Sequence, residues 1–156
     1  MERGRLWTSS FRINVGVLER NLTGLTDELA ATRPAEGLGC PAWVLGHLVR
    51  SRHGIMVLAG NTQVEANLWA EHYGRGTDGG RAHLPMSQLV EAFKGTDEAM
   101  KETFRAVTDW DKPTLNPGLK QEQPLEQVVA FLFWHEGYHM GQIALARKLY
   151  GLGGAV

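Results

Sequence analysis

Apolar residues in this chain of 156 residues recur at alternating steps of three and four in four separate segments. That spacing places them on one face of an α-helix, and no segment shows the strict alternation that is typical of a half-buried strand. The first seam consists of Phe11, Val15, Leu18, Leu22, Leu25 and Leu29. It predicts a helix over roughly residues 5–32, which Arg33-Pro34 brings to an end.

Three further helices are predicted from the same spacing and from proline or glycine at their ends. They are a second helix from Pro41 to Gly60-Asn61, a third from Ser87 as N-cap to just before Asp109, and a fourth from Pro124 to Gly151. Four amphipathic helices without strand signals predict an all-α fold, a four-helix bundle. The length of the chain fits one domain over residues 1–156.

The connection between the second and third helices, about Gly60 to Pro85, is long and rich in glycine. A crossover of that length lets the two helices run in the same direction. Long loops in compact domains are often functional, so its side chains Trp69, Tyr73 and Arg75 are candidates for contacts with a substrate. The alternative is a surface crossover whose aromatic side chains cover one end of the bundle.

Two histidines, His135 and His139, stand in the apolar stripe of the fourth helix. The stripe consists of Leu125, Val128, Leu132, His135, His139, Gln142, Ala146 and Leu149. A buried imidazole without a partner costs about 1–3 kcal/mol, and two charged imidazoles one turn apart repel each other. A shared metal ion removes both problems, whereas the alternative is a histidine pair that only forms hydrogen bonds inside the core.

The segment from His135 to His139 matches the pattern H-E-x-x-H, in which two histidines bind zinc and the glutamate activates water. Peptidases with this motif take a third ligand from farther downstream, but no His, Asp, Glu or Cys follows His139. This argues against a peptidase and places the third ligand upstream. His47, on the apolar face of the second helix, is the best candidate because facing helices of bundles build such sites.

Charge and cysteine content narrow the class of protein. The chain has 16 Lys and Arg against 17 Asp and Glu, with no basic stripe, so nucleic acid is not an expected partner. Neither a signal-peptide core nor a membrane span is visible, and a single cysteine, Cys40, rules out an internal disulfide. We therefore expect a soluble cytoplasmic protein.

Two motifs of this chain resemble those of the DinB-like (DinB/YfiT) metalloenzyme superfamily. They are Trp43-Val44-Leu45-Gly46-His47-Leu48 in the second helix and His135-Glu136-Gly137-Tyr138-His139-Met140-Gly141-Gln142-Ile143 in the fourth. Weaker likenesses are Tyr73-Gly74-Arg75-Gly76-Thr77, Leu84-Pro85-Met86-Ser87 and Arg147-Lys148-Leu149-Tyr150-Gly151. The likeness extends over nearly the whole chain, and its strongest part is the histidine triad.

The resemblance implies a four-helix bundle, often dimeric, that binds a divalent ion such as zinc or nickel through His47, His135 and His139. Members of known chemistry transfer low-molecular-weight thiols, such as mycothiol or bacillithiol, to electrophiles, and one is a thiol-dependent isomerase. We therefore expect a metal-dependent thiol S-transferase acting on a small molecule. The alternatives are a non-catalytic dimeric binding or stress protein braced by metal, and a metal-dependent hydrolase.

Further residues of the fourth helix have two interpretations each. Glu136, about 100° around the helix from His135, is a candidate general base, a residue that supports the metal ligands without touching the metal, or a solvated side chain. Gln142 either orients a ligand or substrate or forms hydrogen bonds in the core. A second apolar seam consists of Phe131, Trp134, Tyr138 and Leu145, beside Gly137 and Gly141. It predicts a homodimer interface, or closer packing within one chain.

Overall fold

The computed structural model describes residues 2–154. Its elements are α1 (Glu2–Leu22), α2 (Asp27–Ala31), α3 (Pro41–Leu58), α4 (Ala70–Tyr73), α5 (Met86–Ala106), β1 (Pro113–Leu115), β2 (Glu122–Pro124) and α6 (Leu125–Leu149). The four long helices form a bundle in which α1 and α3 each pack against both α5 and α6. The predicted fold class is confirmed. No helix within residues 2–154 combines the length and hydropathy that crossing a membrane requires.

Contacts between the helices give their directions. Arg52 of α3 contacts Thr96 of α5, and Asn61 just after α3 contacts Thr103, so α3 and α5 run the same way. The crossover between them therefore returns along the bundle, as the sequence predicts.

The predicted first helix over residues 5–32 is too long. The structure ends α1 at Leu22 and starts a separate short helix, α2, at Asp27. Gly24 adopts a left-handed backbone conformation with φ of 76°, and the side chain of Thr26 accepts a hydrogen bond from the backbone N–H of Leu29. The glycine breaks the helix and the threonine caps the next one, although the apolar spacing continues across the break.

A two-stranded antiparallel hairpin, β1 and β2, precedes α6, although the sequence shows no strand signal there. The side chain of Asn116 organises its turn by accepting hydrogen bonds from the backbone N–H groups of Gly118 and Leu119. Each strand has only three residues, which is too short to show an alternating pattern.

The crossover contains regular secondary structure and packs against the bundle. It contains α4, and the side chain of Tyr73 at the end of α4 is fully buried against α3. Gly46 of α3 leaves the space for the Tyr73 ring, because a Cβ at that position would overlap the ring. The helix α5 then starts at Met86 with Pro85 in the N-cap position, two residues before the start that the predicted Ser87 cap implied.

Candidate metal centre

Three histidines from two helices meet at one point of the bundle. Nε2 of His135 lies 3.0 Å from Nε2 of His139 and 3.4 Å from Nε2 of His47. The bundle brings α3 and α6 together here, although 88 residues separate His47 from His135. The structure thus gathers the three side chains that the sequence selects as metal ligands, and each offers one nitrogen atom within 4.8 Å of the others.

Hydrogen bonds at Nδ1 fix the tautomer of two of these rings. His47 donates its Nδ1–H to the backbone carbonyl oxygen of Tyr73 over 2.8 Å, and His139 donates its Nδ1–H to Oε1 of Gln142 over 2.6 Å. A neutral imidazole with a proton on Nδ1 has a lone pair on Nε2. Both rings therefore point an unprotonated nitrogen at His135, the arrangement that partners of metal-binding histidines impose.

Burial keeps the three rings neutral. It is the main cause that lowers the pKa of His135 to about 3 and of His139 to about 4, and it also lowers the pKa of His47. Repulsion from the neighbouring imidazoles, and from the Arg75 guanidinium, lowers the pKa of His135 further. Neutral imidazoles are the form that binds metal.

Without a cation, these rings leave polar groups unsatisfied. His135 has one proton to donate from Nε2, so it satisfies the lone pair of His47 or of His139, but not both. Its own Nδ1 is buried and has no hydrogen-bond partner among the described residues, with or without an ion at Nε2. A cation between the three nitrogens pairs with all of them, so the donor set fits a metal ion.

Two of the three distances between these nitrogens also fit a shared ion. Two nitrogens bonded to one zinc ion at about 2.0–2.1 Å lie about 2.9 Å apart at a right angle and about 3.3 Å apart at the tetrahedral angle. The observed separations of 3.0 and 3.4 Å from His135 are of this size. Imidazole nitrogen suits zinc and nickel among the divalent ions.

A tryptophan side chain stacks on one face of the His47 ring. The Trp43 ring stacks on the His47 ring at 5.2 Å with an angle of 7° between the planes. Its Nε1–H donates to the crossover, at the carbonyl oxygen of His72 and the hydroxyl of Thr77. Trp43 and Tyr73 therefore attach the crossover directly to a predicted metal ligand.

Glu136 lies in a different environment from the histidines beside it. It is 1% exposed, and Arg52, which is fully buried, binds it through two N–H groups at 2.7 and 2.8 Å. Asn14 donates a further hydrogen bond to Oε1 at 3.0 Å. The predicted general base thus has both oxygens occupied by N–H donors, which favours a structural role for this carboxylate.

The buried face of α6 is therefore rotated relative to the predicted stripe. Glu136, Met140 and Ile143 are buried at its centre, whereas His135 and Gln142 are partly exposed and Leu149 is exposed. The histidines lie at the edge of the buried face, where the site meets the crossover.

The predicted substrate contacts differ in their surroundings. Tyr73 is buried and its hydroxyl accepts hydrogen bonds from the backbone N–H groups of His83 and Leu84, so the structure gives it a role in packing the crossover. Trp69 is partly exposed in a left-handed conformation with φ of 53°, and Arg75 is exposed. Gln142 contacts His139 directly.

Three of the four residues of the second apolar seam of α6 face outward, whereas the fourth, Phe131, is partly buried and packs against the apolar cluster that contains Leu132. Trp134 and Tyr138 are 60% and 55% exposed and stack on each other, and Leu145 is also exposed. No atom of the described residues lies within 4 Å of a Cβ placed at Gly137 or Gly141. These glycines therefore do not provide closer packing within one chain, which was the alternative to a homodimer interface.

Sequence reasoning missed Arg52 and the role of the Tyr73 carbonyl. Arg52 had a visible signal, because it stands four residues after Leu48 and three before Ile55, in the apolar spacing of α3. The same argument that singled out the histidines applies to it. The Tyr73 carbonyl had no signal, since a backbone contact 26 residues away depends on the tertiary fold.

The fold and the three converging histidines define a helical bundle with a candidate metal site, and the sequence profile of the DinB superfamily matches residues 12–143. The chain belongs to the DinB superfamily. Among solved structures it is similar to YfiT from Bacillus subtilis, described as a probable metal-dependent hydrolase with an unusual four-helix bundle topology. The identity is 16%, the TM-score is 0.71, and the match covers 98% of this chain and 90% of YfiT. No curated protein sequence matches the chain.

Proposed function

We propose that this protein binds one divalent metal ion, zinc or nickel, through Nε2 of His47, His135 and His139. The observation that carries the proposal is the convergence of the three nitrogens, two of which have their lone pair directed inward by a hydrogen bond at Nδ1. Three protein ligands are typical of catalytic sites, which keep a position open for substrate or water.

A divalent ion at this site would lower the pKa of a bound thiol or water and so provide a nucleophile at neutral pH. The residues of the chain provide the remaining functions. Gln142 and Tyr73 orient two of the rings, and Trp43 shields one face of His47. Arg75 and Trp69 lie in the crossover, where we infer that a small-molecule substrate approaches.

The environment of Glu136 supports a thiol as the nucleophile. Metal-dependent hydrolysis commonly uses a carboxylate as base, but Glu136 is held by Arg52, and the group of metal-binding side chains formed by the described residues contains only histidines. A thiol has an ordinary pKa near 8.5, so it needs less help from a base than water does. We therefore propose a thiol S-transferase that acts on small electrophiles.

Hydrolysis is the second candidate, and its support is the similarity to YfiT. The two reactions separate in one assay of the zinc- or nickel-loaded protein. A panel of low-molecular-weight thiols is offered with 1-chloro-2,4-dinitrobenzene, and an activated ester is offered with water. Thioether formation that requires the metal supports the transferase, whereas metal-dependent ester cleavage alone supports the hydrolase.

A bound ion without either reaction would favour the third function, a non-catalytic binding protein that the metal ion stabilises. In that case the metal-loaded protein gains thermal stability but converts no substrate. His139→Ala is the control for all three, because it removes one proposed ligand and with it any reaction or stabilisation that depends on the metal.

We further propose that a second copy of the chain covers the exposed seam of α6. Trp134, Tyr138, Gly141, Leu145 and Leu149 follow the three- and four-residue spacing of a helix that packs against another helix. A two-fold dimer uses the same patch on both subunits, and open glycines let the two helices approach closely.

A cytoplasmic location is consistent with Cys40. Its thiol is free and fully buried, and burial is the main cause that raises its pKa. A buried, protonated thiol is chemically inert and belongs to the structural kind. We propose a reducing compartment because the single cysteine of the chain is free, which is consistent with a protein that uses no disulfide.

A further inference from the structure

One buried polar residue from each long helix meets in a single layer across the bundle. The layer consists of Asn14 of α1, Arg52 of α3, Thr96 of α5 and Glu136 of α6. Arg52 donates Nε–H to Oε2 of Glu136 at 2.8 Å and Nη2–H to Oε1 at 2.7 Å. Its Nη1–H reaches the Thr96 hydroxyl at 3.1 Å, and Asn14 completes the contacts of Oε1.

This polar layer lies between two apolar clusters. On every long helix, the residues of the first cluster lie on one side of this layer and the residues of the second cluster lie on the other side. The flanking residues are Phe11 and Leu18 on α1, Val49 and Ile55 on α3, Phe93 and Met100 on α5, and Leu132 and Met140 on α6. The Phe93 ring packs against the Arg52 guanidinium at 3.8 Å.

An ion pair in this position is not explained by stability alone. Removing two charges from water is costly, and well-packed apolar residues of similar volume often give an equal or greater free energy of unfolding. A single buried polar layer has a different effect in helical bundles, because it is satisfied in only one axial alignment of the helices. A shift of α3 along α6 would separate Arg52 from Glu136 and bury both charges unpaired.

The same two helices carry the histidines. Arg52 follows His47 by five residues on α3, and Glu136 directly follows His135 on α6. A shift of one residue moves a helix by about 1.5 Å, whereas a metal site needs its ligands within about 0.5 Å of the required positions. The alignment that satisfies the ion pair is also the one that places Nε2 of His47 3.4 Å from Nε2 of His135.

We propose that Arg52 and Glu136 are positioning residues that set the alignment of α3 with α6 and thereby hold the three imidazoles in ligand geometry. This inference rests on the proposed metal function. It assigns Glu136 a role in building the site in place of a role as general base. The pair touches neither metal nor substrate, and it acts through the backbone of the two helices.

The test replaces the pair by apolar residues of similar size, Arg52→Met with Glu136→Leu. Zinc affinity is measured by competition with a chromophoric chelator, and Tm is measured on the metal-free protein. We expect a Tm that changes by only a few degrees and a zinc affinity that falls at least tenfold, the range for residues that orient metal ligands. A folded double variant with the zinc affinity of the wild type would overturn the proposal.

Two controls complete the design. Arg147→Met removes a second buried arginine, which lies on α6 and whose partners are the carbonyl oxygens of Asn21, Thr23 and Leu152. This variant should leave zinc affinity unchanged. Arg52→Lys keeps the charge but loses the two-point contact with Glu136. It should weaken zinc binding as well, and a folded lysine variant with normal affinity would contradict the proposal even where the double variant fails to fold.

Two spectroscopic measurements separate alignment from other effects. The visible spectrum of bound cobalt(II) should change in the double variant, because the ligand geometry changes. In the metal-free protein, nuclear Overhauser contacts between the rings of His47 and His139, whose centroids lie 4.9 Å apart, should weaken. Retention of these contacts would contradict the alignment itself. If the wild-type protein binds no zinc, the proposed metal function is refuted, whether or not the His47–His139 contacts are observed.

Discussion

His47 donates its Nδ1–H to the backbone carbonyl oxygen of Tyr73, which directs the lone pair of Nε2 at the other two histidines. A side chain on α3 is thus oriented by the backbone at the end of α4, in the crossover. The crossover therefore helps to build the candidate metal centre and does more than connect two helices.

The metal-free protein should lose stability in mild acid. Burial lowers the pKa of all three histidines below the ordinary value of 6.5, so the unfolded chain binds more protons than the folded one below that pH. The free energy of unfolding should therefore fall as the pH decreases from about 6.5 towards 4, by up to about 1.4 kcal/mol per pH unit for each proton taken up.

Urea unfolding at a series of pH values, in the presence of a chelator, measures this slope. The comparison protein is His135→Leu, which removes the histidine whose pKa is lowered to about 3. Its stability should depend less steeply on pH between 6.5 and 4. Equal slopes for the two proteins would show that His135 takes up its proton equally in both states.

Gly46→Ala should damage both the fold and the metal site. A Cβ at this position overlaps the buried Tyr73 ring, so Tyr73 must move together with the carbonyl oxygen that orients His47. We expect a destabilisation of about 1–3 kcal/mol, as for other overpacked positions, and weaker zinc binding. Thermal unfolding and a zinc titration provide the measurements.

Gly54→Ala is the matched control on the same helix. Within residues 2–154, nothing lies within 4 Å of a Cβ placed there. Alanine should be neutral or should stabilise the helix by up to about 1 kcal/mol, without any effect on zinc binding. If both alanine variants behave alike, the close contact between Gly46 and Tyr73 is not required.

Gln142→Leu should weaken metal binding while the fold persists. The variant removes the oxygen that accepts the Nδ1–H of His139 at 2.6 Å, which leaves the tautomer of that ring unfixed. We expect the Kd for zinc to rise about 10- to 100-fold. Gln127→Leu, an exposed position of the same helix, should bind zinc as the wild type does. An unchanged Kd in Gln142→Leu would mean that this hydrogen bond does not orient the ligand.

Leu145→Lys should separate the proposed dimer. Leu145 is exposed on the apolar seam of α6, and a dimer would bury the introduced charge in an apolar interface. Analytical ultracentrifugation should find a dimer for the wild type and a monomer for the variant. Ile13→Lys changes an equally apolar and more exposed residue on α1 and should remain dimeric. A wild-type monomer at high concentration would refute the interface.

The sequence was sufficient for the four long helices, apart from the end of the first, and for selecting the three histidines that the fold brings together. Apolar spacing is a local property, and a histidine in an apolar stripe is conspicuous wherever the helix packs. The break after Leu22 was hidden because the spacing of the seam continues through Gly24.

The parts that could not be predicted depend on residues that are distant in sequence. Periodicity placed His135 at the centre of the buried face, but the choice between it and Glu136 depends on the presence of Arg52 on another helix. The tautomers of His47 and His139 depend on a carbonyl oxygen and an amide that only the folded chain brings into contact.

The central claim is that three histidines hold one divalent ion, and metal content tests it most directly. The wild type, His139→Ala and His53→Ala are purified without affinity-tag metal, incubated with zinc or nickel, freed of excess ion and measured by elemental mass spectrometry. His53 is a histidine of α3 outside the cluster. We predict about one ion per chain in the wild type and in His53→Ala, and a loss of the ion in His139→Ala. No bound ion in the wild type, or equal content in all three proteins, would contradict the account.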